Sequence, residues 1–148
     1  MLRIISASSL LVLLVACGSD DDDGGMPDGS ISAQCQEATT KSDLPWIQEN
    51  IFNTSCANFT QCHMGAAVAA DGLNLETGNA QANLVDVDSV RDSNFKLVVA
   101  GDADNSLLLM ILGRDPANNN PAFTRTMPPG QPLCSEKVEA IGRWVNSL

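Results

Sequence analysis

Cys35, the close pair Cys56 and Cys62, and Cys134 are strung along the chain, and whatever they bond to dictates which distant segments must meet. Their chemistry depends on the compartment. The chain opens MLRIISASSLLVLLVACGSDDDDGG, with Arg3 ahead of a mostly apolar run from Ile4 to Ala16. That run is too short for a comfortable membrane span, which needs roughly 20 apolar residues, and has the length of an export-signal core. In an exported chain, cysteines are used covalently. These four allow three complete disulfide pairings, or one disulfide with two cysteines engaged by something else.

The apolar run ends in LVAC, which resembles the signal of a bacterial lipoprotein. The resemblance implies that residues 1–16 are a removed signal peptide and that Cys17 becomes the lipidated N-terminus. The other reading is an ordinary secretory signal with a free Cys17. Gly18, where an aspartate would favour retention in the inner membrane, points the anchored protein to the outer membrane. Residues 17–34 then form an acidic, disordered tether, because Gly, Ser, Pro and four consecutive aspartates cannot bury a core. A calcium loop would need spaced ligands and a turn glycine, and this run lacks them.

Residues 35–148 are left as one domain of ordinary size. The chain's formal charge of −10 argues against nucleic acid as a partner, since phosphate contacts require Lys and Arg. With no tyrosine, four phenylalanines and two tryptophans, the domain must gain core volume elsewhere, and a buried cofactor would supply it.

The pattern predicts mainly α structure with long loops. SDLPWIQENIF (42–52) reads as a helix capped by Ser42 or Asp43, with Pro45 in its first turn. Residues 65–79 read as a loop with a brief extended piece at Leu73–Leu75, and 82–90 as holding a short helix that ends near Asp86. An extended run follows at 95–105. NSLLLMILG (105–113) reads as a helix between Asn105 and Gly113, and 114–134, with five prolines, as a long loop. The last helix, 135–148, is capped by Ser135 and has Val138, Ile141, Val145 and Leu148 on one face with Trp144 beside them.

The chemistry concentrates in CANFTQCH (56–63), which holds two cysteines and the only histidine. Its ending is that of a haem-attachment site, normally C-x-x-C-H, here with five residues between the cysteines. With VVAGDADNSLLLMIL and TRTMPPGQPLCSEKVEAIGRWV following in order, the chain resembles a class I cytochrome c domain, of the kind found in exported bacterial lipoproteins. The resemblance implies a small cytochrome c-like helical fold and one covalent haem c, joined by thioethers from Cys56 and Cys62. It implies His63 and Met127 as the axial iron ligands, and electron transfer to a redox partner protein rather than catalysis. Met127 stands before Pro128 and Pro129, which stiffen its loop. Met64 adjoins His63 and cannot easily reach the opposite face, and Met110 reads as core. Against these roles stand a surface histidine and a methionine that simply packs.

The extra three residues of the spacer must bulge outward, with Asn58 and Thr60 in the bulge and Phe59 in need of cover. With haem on Cys56 and Cys62, a Cys35–Cys134 disulfide remains. The alternative is a haem-free, disulfide-stapled surface or interaction module. In that reading the terminal helix packs on the first helix, and Cys56–Cys134 is the bridge that leaves Cys62 for Cys35 or for a single haem thioether. A zinc site from Cys and His is a third class.

Overall fold

The computed structural model describes residues 31–114 and 127–148. The expected signal peptide, the expected lipid site Cys17, most of the expected tether and the middle of the 114–134 segment lie outside the described residues. Five α-helices occur in order, namely α1 (Ala33–Ala38), α2 (Leu44–Ile47), α3 (Ala80–Leu84), α4 (Leu107–Ile111) and α5 (Ser135–Asn146). A π-helical segment, Gln48–Cys56, continues α2, and a single 3₁₀ turn occupies Val68–Ala70. The described residues contain no strand, only isolated bridges joining Val85 to Val98, Asp88 to Lys96 and Val99 to Asp102. The expectation of a mainly helical domain with long loops therefore holds at that level.

The domain begins earlier than the sequence suggests. Ala33 and Gln34, read as tether, already belong to α1, where the Ser32 side chain accepts a hydrogen bond from the Cys35 N–H. AQCQEA carries no apolar stripe, so α1 depends on its partners. Cys35 is bonded to Cys134, the residue that begins α5, with the two Cα atoms 6.3 Å apart. At the other end, Arg143 of α5 donates to the carbonyls of Ala38 and Lys41. The Ala38 carbonyl ends the helix and that of Lys41 lies in the turn after it, where a cation is favoured. The two helices are thus clamped side by side at both ends.

Asp43 is the cap of α2, its Oδ1 accepting from the Trp46 N–H at 2.9 Å. The helix read as ending at Phe52 runs on to Cys56. Its widening has a local cause. Asn50 donates to the Trp46 carbonyl and Thr54 to the Asn50 carbonyl, so side chains occupy acceptors that an α-helix would use. The segment closes with the Ala57 N–H on the Phe52 carbonyl, five residues back, at 2.7 Å.

Two predicted caps shift by one residue. Ser106, not Asn105, begins α4. Asn105 bonds Asp102, while fully buried Ser106 accepts from the Val99 N–H and donates to the Asp102 carbonyl, knitting the turn that leads into the helix. Past the helix, Gly113 has φ +80°. Its N–H reaches the Met110 carbonyl and that of Arg114 the Leu109 carbonyl, the paired C-terminal closure that a left-handed glycine permits. Cys134 is the first cap of α5 and makes no side-chain bond, its sulfur being committed to Cys35. Ser135 instead donates to Glu136. The short helix expected within 82–90, ending near Asp86, lies slightly earlier, at Ala80–Leu84.

The core gathers Ile47, Ile51 and Phe52 from the first helical stretch, Leu84 and Val98 from the middle, Leu109 from α4, and Val138, Ile141, Trp144 and Val145 from α5. Phe52 and Trp144 meet edge to face, with centroids 6.3 Å apart. Leu148, assigned to the buried face, is exposed because α5 stops at Asn146.

The Cys35–Cys134 bond spans 99 residues. In the chain-entropy account, a loop of about that length stabilises by ~4–5 kcal/mol. The Cys35→Ala, Cys134→Ala double variant should lose about that much in urea unfolding, and an unchanged midpoint would contradict the clamp's role.

Candidate functional site

The π-helical segment delivers Cys56 at its last residue, and the chain then turns back on itself. Cys62 donates its N–H to the Phe59 carbonyl at 2.9 Å, and His63 donates its N–H to the Cys56 carbonyl at 3.0 Å. The two ends of C-x5-C-H are therefore joined through the backbone. Between them Asn58, Phe59, Thr60 and Gln61 are exposed, so the spacer bulges into solvent. Phe59, expected to need cover, is 65% exposed.

His63 is held on two sides by the extended piece at Leu73–Leu75. Its own carbonyl accepts from the Leu75 N–H at 2.9 Å. Its ring Nδ1 lies 3.2 Å from the Leu73 carbonyl. A carbonyl oxygen only accepts, so Nδ1 carries the proton and Nε2 keeps its lone pair for a ligand. Burial holds the imidazole below its usual pKa, outweighing the pull of Leu73 and Asp71 in the other direction, and Arg91 adds to the lowering. The ring is thus the neutral, ligand-competent form. Asp71 and Arg91 form an ion pair, and Asp71 adopts a left-handed backbone, φ +54°, two residues before Leu73.

Cys56 and Cys62 are both free thiols and half-buried. Burial pushes the Cys56 thiol up to about 12, with Cys62 nearby adding to the rise. Cys35 and Cys134 are spent on each other, so neither Cys56–Cys134 nor Cys35–Cys62 is formed.

A zinc site finds no support in the geometry. Among the described residues, the His, Cys, Asp and Glu ligand atoms that converge in a group of three or more are those of Cys35, Cys134 and Glu136. Two of these are already bonded as a disulfide. Cys56, Cys62 and His63 do not close around a common point.

Met127 begins the second described stretch, its N–H on the Ile111 carbonyl at 2.9 Å. Its partly buried side chain packs against the same core as Cys56 and Met64. The Met127–Pro128 peptide is cis. Met110, read as core, is half-buried and lines a cleft of about 400 Å³ with Arg114 and Glu139. Sequence reasoning found Cys56, Cys62 and His63. It missed the residues that hold them, among them Gln48 and Asn83, whose partners are distant in sequence.

No protein-family model, curated protein or solved structure matches this chain.

The raised Cys56 pKa has a direct consequence. Folded protein at about pH 8 should hold roughly a thousandfold less Cys56 thiolate than the unfolded chain, partly offset by the greater nucleophilicity of a more basic thiolate. Alkylation of Cys56 in the haem-free protein should therefore be roughly 30- to 100-fold slower than in urea, read by peptide mass. Equal rates would contradict the burial described.

Proposed function

We propose that this chain is an exported, membrane-anchored c-type cytochrome that carries electrons through one covalent haem c. Cys56 and Cys62 would supply the thioether links, and His63 and Met127 the axial ligands. The observation that carries the reading is the state of His63: the only histidine follows a free thiol, is tied by its backbone to the other free thiol, and has Nδ1 occupied so that Nε2 is the ligating nitrogen. The donor set fits the group. Thioether bonds need reduced cysteines, an axial imidazole needs its second nitrogen fixed, and a methionine sulfur is a soft partner for iron.

When bound, haem supplies one-electron redox chemistry, and the His/Met ligand pair raises its potential. The chain's own residues would do the rest. His63 is turned by Leu73, the outward bulge at 58–61 absorbs the extra spacer length, and the Cys35–Cys134 disulfide keeps those two cysteines from pairing with Cys56 or Cys62. The redox partner would be another protein. Among the described residues no helix is long and apolar enough to cross a membrane, and the proposed anchor is the lipid on Cys17, holding the protein at the outer membrane.

Full-length protein made together with haem-attachment enzymes should show the sharp reduced bands of a c-type haem. Met127→Ala should keep the haem and lower its potential, because the soft ligand that favoured Fe(II) is gone. His63→Ala should disrupt the spectrum more, as no second histidine can replace it. A protein that never takes up haem would return the reading to a disulfide-stapled interaction module. Separately, Cys17→Ser should leave the precursor uncleaved or release it from membranes, and unchanged processing and retention would overturn the anchor.

A further inference from the structure

Residues 73–76 form a strap against His63, and no bridge within the described residues includes them. The register of this strap is instead set by side-chain amides. Gln48, the first residue of the π-helical segment and 8% exposed, donates through Nε2 to the Leu75 carbonyl at 2.8 Å and to Asn53 Oδ1 at 2.7 Å. Asn83 Nδ2 donates to the Asn74 carbonyl at 2.8 Å, and Asn74 Oδ1 accepts from the Glu76 N–H. Glu76 in turn accepts from the Gly65 N–H, two residues beyond His63. Of these bonds only Gln48–Leu75 is buried. There water cannot replace a lost donor, and an unmet carbonyl carries its full desolvation cost.

Leu75 is where the two sides meet. Its N–H holds the His63 main chain and its C=O is held by Gln48. Two residues earlier, the Leu73 carbonyl takes the His63 ring. If Leu75 moves, the Leu73 acceptor moves with it, and the reason for a proton on Nδ1 is lost. We infer that Gln48 is a positioning residue for this site: by pinning the 73–76 strap from the first helical stretch, it keeps His63 in the Nδ1–H form with Nε2 available as ligand. This rests on the reading of His63 as an axial ligand, but its test does not require haem.

Because the chain has one histidine, its ring ¹⁵N signals are unambiguous. In the haem-free full chain at neutral pH, His63 should be mainly Nδ1–H. Gln48→Met, of similar length without donors, and Gln48→Glu, of the same shape with acceptors in place of donors, should each lower the Nδ1–H to Nε2–H ratio at least tenfold. Asn53→Ala, which removes the other Gln48 acceptor and the Asn53–Thr77 contact but leaves the Gln48–Leu75 bond, should keep the wild-type ratio. Folded Gln48 variants with an unchanged ratio would overturn the inference, as would a wild-type ring already in the Nε2–H form. A second measurement, on the wild type, guards against variants that do not fold. The Gln48 side-chain amide protons should exchange with solvent as slowly as core backbone amides, and fast exchange would overturn the assignment. Haem uptake is scored separately by absorption. A chain that takes no haem while its His63 ratio follows Gln48 would refute the cytochrome reading and leave this inference standing.

Discussion

The bond between Cys35 and Cys134 organises this domain. α1 is six residues long, far below the length at which an isolated helix holds its shape in water. It exists because the disulfide fixes its start to α5 and Arg143 takes the carbonyls at its end. With α1 and α5 clamped, α5 presents Val138, Ile141, Trp144 and Val145 to a core otherwise built from short pieces. The same bond decides the chemistry of the other two cysteines. An exported chain tends to oxidise its thiols, and pairing Cys35 with Cys134 leaves Cys56 and Cys62 to one another or to a cofactor.

Around those two thiols the local structure departs from regular helix. The chain widens into a π-helical segment over Gln48–Cys56, and π geometry recurs where a functional residue must be re-aimed. Here it ends on Cys56 and starts on Gln48, so one irregular segment carries a candidate haem link at one end and the support of His63 at the other. The residues between Asn50 and Ala70 carry no charge in an otherwise acidic chain. In the proposed cytochrome, Cys56, Cys62 and His63 would therefore sit in a neutral stretch, with the Asp71–Arg91 pair as charges that act on His63.

How much of this was legible follows from where each interaction is encoded. α4 and α5 announce themselves by apolar spacing and by Gly113, signals that lie within a few residues. The Asp43 cap and Pro45 likewise set the start of α2. α1 is invisible in AQCQEA because its stability comes from residues about a hundred positions away. Asn105 and Ser135 are good caps by type, yet each found a nearer polar neighbour, Asp102 and Glu136, and the helix began at the adjoining residue. The site shows the same division. Cys56, Cys62 and His63 are adjacent in sequence and were read directly. The strap at Leu73–Leu75 was read as extended, but its contact with His63, and that of Gln48 with Leu75 across 27 residues, belong to tertiary structure. The bulge was foreseen from the fixed reach of the chain, whereas solvent around Phe59 was not.

The account stands on how the cysteines are divided, and mapping them in the native protein tests it most directly. Digestion without reduction, followed by mass analysis, should find the Cys35 and Cys134 peptides joined. It should find the Cys56–His63 peptide carrying one haem through both of its sulfurs. A Cys56–Cys134 or Cys35–Cys62 link, or a Cys56–Cys62 disulfide in protein made with haem-attachment enzymes present, would contradict it.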